Sequence, residues 1–554
     1  MECDIMRLAG EGRTIYRRIL NLIEREVGSG KDRIKKLKPV SSAEKIKYFQ
    51  NWLKSLPVCN EKLPELNISV KPDLRTIYLS DSNCVKKLKK LGFLAESSSD
   101  NGVFVGNSFV ELSCKDVEII KSGEFMNVCR VVCPEKLVEA FLSAINNLLI
   151  FRDFLKKCGV DATSIESIIS AAGKTESFFK KLRDSSMIEE LVVRELSELN
   201  DRIEREIADF ELTLKGMSIL DIMRGDTSSL PVHEVESIIA ENVIRSEEKL
   251  RKLVGVEVSG LFTLTYPVRV NERMLEKISE EIERETRIEL YRICRNTADM
   301  IVENFEGFIR EVNIAKDIEF SSALKRVGKS FPEIADYTAF VEGEHLFIDK
   351  PQPITYSVGS SDIADGRIVI LTGANSGGKT SLLELIAQIQ IMGQMGLPVR
   401  AKRAWIKIFD GVYFFKKKKI AGAGAFENAV KAFVKAVVAG GTNLIIIDEF
   451  EAITEPGAAV SIMAELLKIA YERGHYVVAV SHLGKELRKE LPFARVDGIE
   501  AKGLDENFNL VVDRQPVFGK LGRSTPELII KKMYMKSKKN ERVILERILN
   551  VLKC

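Results

Sequence analysis

The stretch Leu371-Thr372-Gly373-Ala374-Asn375-Ser376-Gly377-Gly378-Lys379-Thr380 fits the spacing G-x-x-x-x-G-K-[ST] of a phosphate-binding loop. An apolar run from Arg367 to Leu371 precedes it and reads as a strand, and Ser381 to Met395 follows as a helix. The motif needs that order. Its glycines let the backbone curl so that successive N–H groups face phosphate oxygens at a helix start. Lys379 is then expected to reach the β- and γ-phosphates, and the Thr380 hydroxyl to ligate Mg²⁺. The expected cradle is Gly373, Ala374, Asn375, Ser376, Gly377, Gly378, Lys379, Thr380 and Ser381, and the expected ligands are ATP and Mg²⁺.

Downstream, Asn443-Leu444-Ile445-Ile446-Ile447-Asp448-Glu449 is a short apolar run that ends in two acids. It reads as a buried parallel strand that delivers carboxylates to the C-terminal edge of a sheet, where α/β folds bind ligands. Asp448 is the expected second metal ligand, and Glu449 the group that polarises the attacking water. The bland alternative is a buried strand that ends in a solvated acidic pair. A third strand, Tyr476-Val477-Val478-Ala479-Val480, ends in Ser481-His482 and aims His482 at the same edge. A packed or exposed loop histidine is the alternative there. Lys379, Glu449 and His482 are the expected catalytic groups, with Thr380 and Asp448 on the metal.

Thr372-Gly373-Ala374-Asn375-Ser376-Gly377-Gly378-Lys379-Thr380 resembles the phosphate loop of the MutS family, whose Asn and doubled Gly are unusual among such loops. Further similarities follow in the family's order: Gly396 to Ala404, Phe409 to Phe414, Ser481 to Leu487, and Gly522-Arg523-Ser524-Thr525-Pro526-Glu527. Asp448 to Ala459 looks most like the branch that does not read mismatches. The resemblance is strong from about Ile318 to Lys532. It implies an ABC-type P-loop ATPase domain that works as a homodimer on DNA. Family members complete each ATP site with a Ser-Thr-Phe segment from the partner subunit, and the corresponding place here is Gly424-Ala425-Phe426. Both hydroxyls are gone, and one hydrogen bond to a charged group is worth about 1.5–3 kcal/mol. A glycine-rich turn over Gly422 to Ala425 is expected to substitute with backbone N–H groups, and hydrolysis is expected to be slow.

At 554 residues the chain is too long for one core. The expected fold class is multidomain α/β plus mainly α. Residues 1–60 read as the start of a helical core, 61–133 as a small α/β domain and 134–315 as a helical core and lever with a reduced clamp. Residues 316–554 read as the P-loop ATPase with a C-terminal helix. Leu196, Leu199, Ile203, Ile207, Phe210 and Leu214 recur at steps of three and four, which predicts a helix with one packed face. A second helix is expected to begin near Asn271, a good cap. Within 61–133, Arg75 to Leu79 and Gly102 to Val105 read as short strands, and Cys129 and Cys133 as core residues.

Apolar residues make up 45% and charged residues 29% of the chain, an ordinary globular balance that excludes a disordered one. No run of about 18 apolar residues occurs and the opening Met-Glu-Cys-Asp-Ile-Met-Arg is unlike a signal peptide, so the expected location is the cytoplasm, with no membrane partner. Nine cysteines without a regular framework agree. A net charge of +3 is too small to announce a nucleic-acid binder. Local clusters are stronger candidates: Lys31, Arg33, Lys35, Lys36 and Lys38; Lys416 to Lys419; and Lys531, Lys532, Lys536, Lys538 and Lys539. Each also fits a merely solvated face. No Phe-x-Glu mismatch wedge is found, and the C-terminal nuclease domain of many mismatch-blind relatives is not expected. The leading expectation is an ATP-dependent, sequence-nonspecific DNA binder of the MutS type. The rivals are an ABC-type structural ATPase, disfavoured because no Leu-Ser-Gly-Gly signature precedes Asp448, and a ribosome- or RNA-associated ATPase.

Overall fold

The structure is a computed structural model, and it describes residues 4–70, 76–97, 103–105, 108–110, 113–183, 187–209, 216–226, 232–373, 377–416, 423–449, 456–504, 510–522, 526–537 and 539–552. The chain divides into two compact units. One joins Met1–Glu65 to Asn313–Cys554, and the other is Leu66–Val312.

The first unit is built on a six-stranded sheet whose pairings are all parallel. Its strands are β1 (Arg7–Gly10), β2 (Ile368–Gly373), β3 (Gly411–Phe415), β4 (Asn443–Asp448), β5 (Tyr476–Val480) and β6 (Arg495–Ile499). They lie in the order β1-β3-β4-β5-β2-β6. β2, β4 and β5 are continuous apolar runs because both faces of the sheet are covered. Alternate residues serve the two sides. Val369, Leu371, Leu444, Ile446, Val478 and Val480 belong to one core, and Ile368, Ile370, Ile445, Ile447, Val477 and Ala479 to the other.

On the first face lies helix α2 (Lys379–Gln394), with a second, four-stranded sheet of Glu333–Ile334, Arg403–Ile406, Thr338–Gly343 and Ile354–Val358 contributing to the same core. Helix α2 is buried almost all round, yet it carries Gln388, Gln390 and Gln394. Each finds partners, as buried amides must. Gln390 accepts from Thr338 Oγ1 at 2.8 Å and donates to the Lys407 carbonyl at 2.7 Å. Gln394 donates to the Val40 and Phe409 carbonyls, both at 2.8 Å. On the other face, α3 (Ala423–Val438) and α4 (Pro456–Glu472) supply Phe433, Met463 and Leu467 to the second core.

Residues 1–65 count with the first unit, and a short strand precedes their helices. β1 is the edge strand of the parallel sheet, with Arg7 opposite Gly411 and Gly10 opposite Phe414. Gly10 takes φ 60, and a Cβ there would stand 2.1 Å from the Phe414 carbonyl oxygen, so only glycine allows this approach. The helix that follows, α1 (Glu11–Glu26), places Ile15, Ile19 and Ile23 on one stripe, and all three are fully buried in the core of α2. Further on, Glu319 accepts from the Gly28 N–H at 2.8 Å and the Leu63 N–H at 3.0 Å, a buried carboxylate satisfied by backbone. A four-residue edge strand carries too little pattern to announce itself.

The second unit begins with a small sheet in the order Ala95–Ser97, Ile77–Leu79, Val103–Val105, Ser108–Val110. The segment up to Val132 is not strand-rich to its end. Cys114–Ser122 and Phe125–Val132 are helices, and Val128, Cys129, Val131 and Val132 are buried at helical spacing. Cys129 and Cys133 are both buried. The helix Met187–Ala208 packs Leu199 and Ile203 against Ile239, Val243 and Leu250 of the helix Val232–Val254. Phe210 and Leu214 lie outside the described residues. Buried Glu195 accepts from Ser246 at 2.8 Å and pairs with Arg202 at 3.1 Å. The next helix runs from Glu272 to Val327, and the Asn271 carbonyl accepts from Met274 and Leu275 where it begins. From Asn313 onward this helix counts with the first unit.

Candidate nucleotide site

β2, β4 and β5 are adjacent and parallel, so their C-terminal ends open on one edge. Gly373 closes β2 at φ 120, where a Cβ would meet the Ile499 carbonyl oxygen at 2.2 Å, so the loop must start with glycine. Ala374, Asn375 and Ser376 lie outside the described residues. Gly377 is buried, Gly378 precedes α2, and Ser381 is half-buried in its first turn. Lys379 is 3% exposed, and its ammonium donates to the Gly373 carbonyl at 2.6 Å. Lys379 is therefore turned back toward the end of β2.

Thr380 Oγ1 donates to Asp448 Oδ2 at 2.9 Å. Asp448 is 7% exposed at the end of β4. Burial pushes its carboxyl above the ordinary range, against the Thr380 hydrogen bond, and the neighbouring Glu449 charge pushes the same way. No group of three or more His, Cys, Asp or Glu that could hold a metal occurs among the described residues. A hydroxyl and one carboxylate, with water and phosphate oxygens completing the shell, is a donor set that suits Mg²⁺. Thr380 and Asp448 thus fit the ion that the motif implies.

Glu449 stands just past β4 with φ 52, a left-handed backbone that a non-glycine residue adopts at a cost of about 1–3 kcal/mol. Its N–H donates to the Val480 carbonyl at 3.2 Å, which ties the turn to β5. His482 Nε2 lies 3.3 Å from Glu449 Oε1. The structure therefore brings Lys379, Thr380, Asp448, Glu449 and His482 to one sheet edge.

Some participants were not foreseen. Lys416, just past β3, pairs with Glu384 of α2 at 3.0 Å. Glu384 also bonds His345 at 3.0 Å. Phe347 N–H donates to His345 Nδ1, and His345 Nε2 lies 2.9 Å from Gln388 Nε2 as well as 3.0 Å from Glu384 Oε2. Burial works to raise the Glu384 carboxyl, but the His345 and Lys416 bonds outweigh it and hold the group down at about 2. The Arg514 side chain lies over Gly378, its Cδ 3.5 Å from where a Cβ would stand. Gly522 N–H donates to Thr372 Oγ1 at 2.7 Å, so the closing turn braces the strand that carries the phosphate loop. None of these pairs shares a short sequence spacing, which is the signal that periodicity reads.

Gly424-Ala425-Phe426 does not form the glycine-rich turn expected over Gly422 to Ala425. Ala423 already begins α3, so 423–425 are helical, and Gly422 lies outside the described residues. Alanines and a Phe favour helix over the repeated positive φ of a nest, and the first helical turn still leaves N–H groups unbonded within the helix. Among the basic clusters, Arg33 is engaged with Asp317 at 2.9 Å, while Lys31, Lys35, Lys36 and Lys38 are exposed. Lys531 and Lys536 are exposed, Lys416 is paired as above, and Lys417 to Lys419 and Lys538 lie outside the described residues.

The chain is 39% identical to DNA-binding protein MutS2 of Pyrococcus furiosus, over 98% of this chain and 99% of that one. It belongs to the MutS2 group of the MutS family. Endonuclease MutS2 of Streptococcus agalactiae is 21% identical over 81% of this MutS2-group chain, which spans 58% of that protein's length. Endonuclease MutS2 of Clostridium botulinum is 24% identical over 48% of the chain and 34% of its own length. No family model matches. Among the described residues of this MutS2-group chain, no helix is long and apolar enough to cross a membrane.

Proposed function

We propose that this MutS2-group chain is a slow, Mg²⁺-dependent ATPase of the ABC type that grips DNA without reading its sequence, in repair or recombination. It acts as a homodimer in the cytoplasm and is not a direct mismatch reader. The observation that carries this reading is the Thr380–Asp448 bond beside Glu449 and His482, at the mouth of a phosphate loop. Membership of the MutS2 group supports DNA as the partner.

The loop N–H groups and Lys379 bind the β- and γ-phosphates, and Arg514 adds positive charge over Gly378. Thr380 and Asp448 would hold Mg²⁺, which would offset the phosphate charge. Glu449 orients the attacking water and takes up its proton. His482, through its bond to Glu449, positions that carboxylate and faces the γ-phosphate. The first turn of α3 meets the partner subunit's nucleotide, and without side-chain hydroxyls at positions 424 and 425 the step is slow. Lys31, Lys35, Lys36, Lys38, Lys531 and Lys536 supply exposed charge for phosphate contacts that carry no sequence information.

The test is a salt-titrated binding assay with duplex, mismatched, branched and single-stranded DNA and matched RNA, with and without ATP and Mg²⁺. Tight, mismatch-indifferent DNA binding that changes with ATP is expected. A clear RNA preference, or no DNA binding, would leave the ATPase and overturn the DNA reading.

A further inference from the structure

We propose that Lys416 is a specificity-determining residue of this site, one that supplies in cis a positive charge toward the terminal phosphate and so favours ATP over ADP. This rests on the reading that the phosphate loop binds ATP. Lys416 directly follows β3, and the register of β3 on β4 sets Phe415 opposite Ile447. Lys416 and Asp448 are therefore next in line at the same sheet edge. Burial works against the charged lysine, but the hydrogen bond and charge of Glu384 on α2 outweigh it, and the charges of Glu11 at the start of α1 and Asp448 on β4 act in the same sense as Glu384. Its side chain remains 40% exposed, so the charge is not sealed from a ligand at the edge.

Its placement is enforced. Glu384, 12% exposed, is held on one oxygen by Lys416 and on the other by His345, which is itself 6% exposed. Gln388, one turn further along α2, accepts from Leu346 N–H at 3.0 Å and so fixes the segment that carries His345. A surface lysine run would place Lys416 in water. Here a buried carboxylate on α2 holds the ammonium at 3.0 Å, on the residue next in register to the carboxylate expected to hold the metal. Because ATP and ADP differ at the γ-phosphate, a charge aimed there alters the ratio of their affinities more than either one with the base and ribose.

The experiment measures ATP and ADP affinity with Mg²⁺ on the full chain in a Glu449→Gln background, so that ATP survives, together with thermal stability. Lys416→Met is expected to weaken ATP by about tenfold with ADP shifted less than about threefold, the loss of one charged contact. Lys416→Arg keeps the ratio. The double swap Lys416→Glu with Glu384→Lys restores the ion pair and the stability but moves the cation from the sheet edge to the helix, so the ATP preference stays lost. Equal weakening of ATP and ADP in Lys416→Met, or a swap that recovers the ATP preference, would overturn the proposal and leave Lys416 a structural tether. Lys379→Ala separates the two readings: if it binds ATP like the parent, the nucleotide site itself is misassigned.

Discussion

Thr380 Oγ1 and Asp448 Oδ2 stand 2.9 Å apart although 68 positions separate them in the chain. One opens α2 after β2 and the other closes β4, with β5 lying between those strands. Both therefore approach from the same edge across β5, and the bond occupies the place where a hard cation would take both oxygens. Asp448→Asn is expected to abolish Mg²⁺-dependent turnover.

The same substitution has a consequence for the ligand-free protein. Burial raises the folded Asp448 carboxyl above its ordinary value of 3.8, so ionising it costs folded stability. That cost sets in as pH rises from 3.8 through the raised value and persists at neutrality. Ligand-free Asp448→Asn is expected to melt higher than the parent at pH 7, by roughly 2 °C, with the gap closing below pH 3.8. Calorimetry across that range reads the sign directly.

Glu449→Gln keeps the shape of the strained turn and removes the base. Its kcat is expected to fall about 10²- to 10⁴-fold, with ATP binding retained. His482→Ala removes only the group that positions Glu449, and the loss there is about tenfold in kcat with KM little changed. Single-turnover kinetics with filter-bound ATP separate the two effects, and wild-type turnover by Glu449→Gln would reject Glu449 as the base.

Glu384 titrates in the opposite sense to Asp448. Its folded pKa of about 2 lies below the ordinary 4.5, so its stabilisation is complete above pH 4.5 and disappears as pH falls toward 2. Glu384→Gln is expected to cost on the order of 1–3 kcal/mol at pH 7, after solvent screening. Denaturant melts of both proteins should converge as the solution is acidified through that window.

Residues 313–554 expressed without residues 1–65 are expected to be insoluble or molten, since α1 buries Ile15, Ile19 and Ile23 in the core of α2. Adding 1–65 as a second chain should restore a cooperative melt. A soluble, cooperatively folding 313–554 would show that β1 and α1 are dispensable.

How much was legible follows from signal strength. β2, β4 and β5 are unbroken apolar runs that end in Gly373, Asp448 and Ser481, and a loop motif at one end fixes the edge where all three converge. Steps of three and four announced the stripe of Leu199 and Ile203. By contrast, β1 is four residues with no internal alternation, and its partner is about 400 positions away in the sheet register. The helix Phe125–Val132, whose buried face joins Val128 and Cys129 to Val131 and Val132, is too short for its period to stand out. Lys416 looked like the start of a solvated run because pairing with Glu384 depends on tertiary packing.

The edge strand from the amino terminus imposes an order on synthesis. Gly10 leaves the ribosome long before Phe414, its partner in the sheet, exists. At about 5–20 residues per second the wait is on the order of tens of seconds. Throughout that interval the Ile15, Ile19 and Ile23 stripe has no α2 to cover it, so the nascent chain must carry an adhesive helix through the whole translation of the second unit. Over that window the chain relies on chaperone capture or on a slow tempo of translation to keep this stripe from other partners.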